Sequence, residues 1–302
     1  MATLAPPVPD AGRSPSPAAP PPRRRHRGGS KAGKPGPVTY TLLTLVALVS
    51  IFPLYWTLVA GSHTNAEIAA TPPPFLPNAS LFDNFQAALE QAPIGKAILN
   101  SVLVAGSITV GTVLFCTLAG FAFAKLQFRG KGLLLGLVIG TMMVPTQLAV
   151  IPLFMMIAEL QWVNQLQAVI LPTLVSAFGV FFMRQYLISA LPNELLEAGR
   201  VDGASTFRIF WSIVVPVARP AMAVLAMLTF LTAWNEFFWP LIALTTANPT
   251  VQVALAGLGS GYVPQRSVIM AGTLLGTLPV LIVFTILGKQ IVGGIMQGAV
   301  KG

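Results

Sequence analysis

Charge is scarce in this chain. Only 9% of its 302 residues are charged, against roughly 25% in a typical soluble domain. A soluble protein so poor in charge has too little polar surface to stay in solution. That excludes a cytosolic enzyme and an ordinary nucleic-acid binder, despite a net charge of +9. Hydrophobic residues make up 54% and the mean hydropathy is +0.75, which excludes a disordered chain, because disorder requires low hydrophobicity. Cysteine is nearly absent. Cys116 stands alone, so no intrachain disulfide can form, and its place in an apolar run reads as a small buried hydrophobe. His26 and His63 are far apart with no other ligand type beside them, so no metal site is expected. The phosphate-loop pattern G-x-x-x-x-G-K-[ST] is missing, so the chain does not hydrolyse ATP by that route. Gly257-Leu258-Gly259-Ser260-Gly261 shares only its glycine content and reads as a flexible turn. No G-x-S-x-G, H-E-x-x-H or paired-cysteine pattern occurs. No catalytic residue and no cofactor are expected. No apolar run carries the several acids or bases that proton relays and voltage sensors use.

The apolar runs themselves are what the sequence has in abundance. Residues 41–61, 97–124, 132–158, 160–183, 220–235 and 267–288 carry no charge. Each supports a helix of about the twenty residues needed to cross a bilayer, the fifth running on past Glu236. The expectation is an all-α polytopic membrane protein with helices near 39–60, 99–123, 133–157, 167–188, 220–243 and 268–290. Short alternating segments of the kind that build a β-barrel are not seen. The basic residues alternate with these spans. Sixteen of the eighteen Lys and Arg fall on the side of the N-terminal tail, and only Lys96 and Arg266 on the other. By the positive-inside rule both termini are cytoplasmic, with six crossings. Residues 1–37 form a basic tail rich in Pro and Ala that cannot bury a core and should be disordered; its cations either meet anionic lipid or only fix orientation. Residues 38–302 form the membrane domain. The loop at 62–97 should be a short extracytoplasmic cap. Pro53, Pro145, Pro152, Pro172 and Pro279 lie within spans, where each removes a backbone donor and can kink its helix.

One sizeable cytoplasmic insertion, 189–219, separates two spans. Pro192 suits a first helical position and Glu194 the favourable first turn. That helix should reach about Val201. Asp202-Gly203 then turns, with glycine free to take positive φ. Ser205 or Asp202 can cap a second helix, which Pro216 ends. Phe207, Phe210 and Val214 fall on one face of it. Small residues around the turn (Ala198, Gly199, Gly203, Ala204) allow another surface to approach, while Glu197 and Asp202 offer directional contacts. The alternative is a solvated connector with helix caps. A second candidate feature is Glu236, the one acid expected inside a span. Trp234, Asn235 and Glu236 line or gate a path, or Glu236 makes a structural hydrogen bond between helices, or it lies near the outer headgroups; it is about 24 Å along the helix from Pro220.

The run Glu197-Ala198-Gly199-Arg200-Val201-Asp202-Gly203-Ala204, followed by Phe210 and Pro216, resembles the EAA loop of ABC-importer permeases. That pattern is E-A-A-x-x-D-G-A, then Phe, then a Leu-Pro-like end. Gly199 replaces the usual second alanine. Phe182-Met183-Arg184-Gln185, Trp234-Asn235-Glu236-Phe237 and the Gly298-Ala299-Val300-Lys301-Gly302 ending resemble the maltose-permease-type sugar importers, and the resemblance runs from about residue 40 to the end. It implies the type I importer architecture and a permease that forms the path for a sugar but is not itself an enzyme. It further implies a second homologous permease, an ATP-binding-cassette ATPase dimer, an extracytoplasmic sugar-binding protein and the bacterial inner membrane. Each such loop would dock in a cleft of one ATPase, with Glu197, Asp202 and Gly203 carrying coupling, and the loop at 245–267 would face the binding protein. Importers of amino acids, phosphate or peptides are nearer rivals. An ATP-independent secondary carrier is a more distant one, and would show inverted repeats and polar residues at mid-span.

Overall fold

The computed structural model describes residues 36–262 and 264–299. The expectations for the tail at 1–35 and for the Val300–Gly302 ending lie outside the described residues. The chain divides into two units, Met1–Ile51 and Phe52–Gly302. The described part of the first is apolar helix; the account below concerns the second.

Among the described residues every regular element is a helix. Helix α1 (Pro37–Gly61) carries Pro53 in its interior. After it, Thr64 opens the one-turn α2 (Asn65–Ile68) with a capping box: its Oγ accepts from the Glu67 amide and its own amide donates to the Glu67 carboxylate. That amide, with the Thr64 hydroxyl second, holds the Glu67 carboxyl below the ordinary carboxylate range. Together with α3 (Leu81–Gln91) this is the short cap expected between the first two spans. Helix α4 (Ile94–Lys125) is 32 residues of nearly unbroken apolar sequence.

The third span departs from expectation. In place of a straight helix over 133–157 stand α5 (Lys131–Thr141), a 3₁₀ turn at Thr146–Ala149 and α6 (Val150–Glu159), meeting at 92°. Pro145 is the cause: it lacks an N–H and pushes the residue before it out of the helical region. The fourth also bends. Helix α7 (Gln167–Ile170) runs through a 3₁₀ turn containing Pro172 into α8 (Ala177–Ala190), at 41°. The Ser176 hydroxyl restarts the helix by accepting from the Gly179 amide at 3.0 Å.

Helix α9 (Asn193–Val201) and the one-turn α10 (Thr206–Ile209) follow. Then comes a π-helical turn at Phe210–Val214 and α11 (Val215–Asn235), so that Thr206–Asn235 is one 30-residue apolar helix. The stop expected at Pro216 does not occur. The carbonyl that its ring would strike belongs to Ser212, four residues earlier, and lies inside the widened turn. At the other end the span expected over 220–243 breaks at Glu236 and resumes as α12 (Phe238–Ala243). Helix α13 (Val251–Leu258) takes up the start of the stretch read as a flexible glycine turn. The last helix, α14 (Arg266–Ala299), has Pro279 inside. Four helices are long and apolar enough to cross a membrane, and the two bent pairs bring the number to as many as six.

Helix α4 is the packing centre, with its longest contacts to α8 and α11. Between spans in lipid the driving force is close packing rather than water exclusion, so small residues decide where helices meet. A Cβ on Gly120 of α4 would sit 2.7 Å from the Cβ of Met183, and one on Gly179 of α8 would sit 2.7 Å from the Cys116 sulfur. Only glycine fits at these two positions. Cys116 is fully buried, as expected, and its thiol donates to the Ser176 carbonyl at 3.5 Å. Threonines inside the spans satisfy themselves by donating to the carbonyl four residues back, as Thr109 and Thr273 do.

Candidate functional site

The 189–219 segment is a helix, a tight turn and a helix, and its signature residues build that shape. Pro192 is extended and stands just before α9 rather than at its first position, a difference of one residue that helix assignments do not resolve. At the other end Gly203 has a φ of +75°. Its amide donates to the Arg200 carbonyl at 3.0 Å and the Ala204 amide to the Gly199 carbonyl at 2.9 Å. These two bonds are a Schellman motif, the cap that closes a helix when a glycine turns left-handed. Ser205 then opens the next helix by accepting from the Arg208 amide at 3.2 Å. Asp202 makes no side-chain cap and stays exposed.

Exposure sorts the segment into two faces. Glu197, Ala198, Arg200, Asp202 and Gly203 are exposed. Leu191, Leu196, Ile209, Phe210 and Val214 are buried in one cluster with Cys116, Phe121, Met183 and Leu187 of the spans. Phe210 is 2% exposed with its ring centroid 6.0 Å from that of Phe121. Phe207, expected on the same face, is 68% exposed. Gly199 is buried, and a Cβ there would approach the Ile213 Cδ1 at 3.1 Å. The exposed edge is therefore rooted in the core shared by α4, α8 and α11.

Trp234, Asn235 and Glu236 do not form one surface. Trp234 is 2% exposed, stacked on Phe230 at 5.6 Å within the core. Asn235 is exposed and donates to the Leu231 carbonyl at 2.8 Å. Glu236 is not inside a helix. It stands at the break, half-buried, and its carboxylate accepts from the amides of Phe238 at 3.0 Å and Trp239 at 3.2 Å. From one residue before the N-cap, Phe237, its side chain thus satisfies the first two amides of α12.

The structure also brings together residues that the sequence alone did not single out. Asn164, at a φ of +63°, donates its amide to the Ala243 carbonyl at 2.8 Å. Its side-chain oxygen accepts from the amide and hydroxyl of Thr245, and its carbonyl accepts from Asn248 at 3.0 Å. Asn248 in turn accepts from Asn100 of α4 at 3.0 Å. Three distant segments are so clasped at the C-terminal end of α12, the end away from Glu236. An asparagine flanked by polar residues between two apolar runs was the available signal.

Residues 116–296 match the family described as binding-protein-dependent transport system inner membrane component. The lactose transport system permease protein LacG of Rhizobium radiobacter is 35% identical over 268 residues, covering 88% of this chain and 97% of its own. The arabinooligosaccharides transport system permease protein AraQ of Halalkalibacterium halodurans is 32% identical, covering 89% and 99%. The sn-glycerol-3-phosphate transport system permease protein UgpE of Salmonella typhi is 32% identical, covering 86% and 95%. Among solved structures, a chain of a bacterial ABC transporter involved in the import of the acidic polysaccharide alginate superposes with a TM-score of 0.73. It covers 83% of this chain and 94% of its own at 22% identity, a likeness of fold.

Proposed function

Because the chain belongs to the family of binding-protein-dependent transport system inner membrane components, we propose that it is the permease subunit of an ABC importer for a sugar. The lactose and arabinooligosaccharide permeases among its relatives support the substrate class. In this reading four long helices and two bent pairs make six spans. Sixteen of eighteen basic residues lie on the side of both termini, which makes that side cytoplasmic. The membrane is the bacterial inner membrane. A second homologous permease completes the path, an ATPase dimer supplies ATP hydrolysis, and an external binding protein delivers the sugar.

One observation carries the coupling role: α9 presents Glu197, Ala198 and Asp202 outward while its root, Leu196 and Phe210, is buried among the spans. A segment held this way moves with the helices, whereas a loose connector would absorb the displacement. Asn235 and Glu236 border the path at the helix break, and buried Trp234 braces them. The relatives that carry sn-glycerol-3-phosphate favour a second reading, a phosphorylated polyol as the substrate.

The test is reconstitution of the chain with its co-purifying permease, ATPase and binding protein in vesicles. ATP-dependent uptake of lactose or an arabino-oligosaccharide supports the first reading, and uptake of sn-glycerol-3-phosphate alone supports the second. Uptake by the chain without ATP or partners contradicts both.

A further inference from the structure

The continuous helix Thr206–Asn235 has a weak stretch where it leaves the coupling segment. Pro216 and Pro220 carry no amide, so neither can donate to the carbonyl four residues back, that of Ser212 or of Pro216. Over Phe210–Val214 the helix is π-wound, and the Val215 amide reaches back to the Phe210 carbonyl. Two gaps in the backbone ladder and a widened turn thus fall together between Phe210 and Pro220. Helices bend at such prolines and π turns. A displacement of α9 can be lost here before it reaches the spans.

One side chain bridges the weak stretch from outside. The Tyr186 hydroxyl of α8 donates to the Val217 carbonyl at 3.3 Å, and Val217 stands between the two prolines. Both residues pack against the buried cluster shared by α4, α8 and α11, which partly shields the bond from water. The base of this contact is firm. Just before Tyr186, a Cβ on Gly120 of α4 would lie 2.7 Å from the Met183 Cβ and 2.8 Å from the Arg184 amide nitrogen, so α8 has no room to close further on α4. Among the described residues one other side-chain hydrogen bond ties the coupling segment to a span, from Lys125 to Asn193 at 3.0 Å. It is exposed and lies at the start of α9, away from the joint. Phenylalanine at 186 would serve packing alone; the hydroxyl adds this bond.

We propose that Tyr186 is a positioning residue for transport. Its hydroxyl braces the proline-gapped joint, so that displacement of α9 passes into α8 and α4 instead of being absorbed as bending. The inference rests on the importer reading, and its test separates the two.

Spin labels are attached at Ala198→Cys of α9 and Gly95→Cys in the first turn of α4, both exposed, on a Cys116→Ser background. Their separation is measured by pulsed electron paramagnetic resonance in the complex with its co-purifying partners, with and without ATP. In the otherwise wild-type chain ATP should shift one narrow distribution to another. Tyr186→Phe should spread the ATP-free distribution, raising the displaced fraction about two- to fivefold, the effect of one modest hydrogen bond, while ATP hydrolysis continues. Adding Pro220→Ala, which restores an amide facing the Pro216 carbonyl, should narrow it again. A packing role alone would lower the melting temperature without this spread. A distance that ATP leaves unmoved in the wild type would overturn the importer reading and the brace with it. A distance that ATP moves, with Tyr186→Phe as narrow as the wild type or a spread that Pro220→Ala does not reverse, would overturn the brace alone.

Discussion

Gly203 and Glu236 each act through the backbone. Gly203 holds a φ of +75°, and a Cβ there would meet nothing within 4 Å. A substitution is therefore penalised by conformation alone, about 1–2 kcal/mol for an L-residue in the left-handed region. Gly203→Val should open the turn and lose most substrate uptake, while Gly203→Asn, which tolerates that region, should keep most of it. Uptake per amount of inserted protein measures the difference, and equal loss in both would refute the conformational account. At Glu236 the carboxylate caps α12. Glu236→Ala should cost about 0.5–2 kcal/mol, as lost caps do, and lower the melting temperature of the purified protein; Glu236→Gln, which keeps an acceptor, should lower it less. Unchanged melting in the alanine variant would mean that the cap contributes nothing to stability. Gly203 was legible because Asp-Gly after an amphipathic helix signals a turn. Glu236 was not, because an acid in an apolar run does not announce whether the helix continues or stops there.

At the scale of elements, the charge-free runs located the apolar helices well and their interiors poorly. The break at Pro145 turns the chain by 92°, yet Pro53 and Pro279 sit inside continuous helices. Which proline kinks depends on neighbours that resatisfy the freed carbonyl, and those neighbours are distant in sequence. The π turn at Phe210–Val214 was likewise invisible to a 3.6-residue period. It carries a consequence that can be measured. Inserting one alanine after Arg208, which leaves the π turn in place, should rotate the coupling segment by about 100° relative to α11. The ATPase should then fail to co-purify while the chain still inserts; retained ATPase would show that docking does not depend on the segment's direction. Phe210→Ala should destabilise the shared cluster by about 3–5 kcal/mol and lower uptake more than insertion.

Across the whole molecule the few charges do two separate things. In the proposed topology the basic residues set orientation. On a Cys116→Ser background, cysteine at Arg129 should react with a membrane-impermeant thiol reagent only from the inner side, and cysteine at Lys96 only from the outer; the opposite pattern would invert the topology. Three further charges fall on the segment proposed to dock the ATPase. Glu197, Arg200 and Asp202 stand on the exposed edge of a helix whose opposite face is buried among the spans, an arrangement made by a left-handed glycine on one side and a phenylalanine on the other. The measurement that addresses this most directly is a cross-link from cysteine at Ala198, exposed on α9, in the complex purified from membranes. The expected result is a covalent product with the ATP-binding subunit whose yield changes when ATP is added. A product with lipid-facing or external partners alone, and none with the ATPase, would contradict the account.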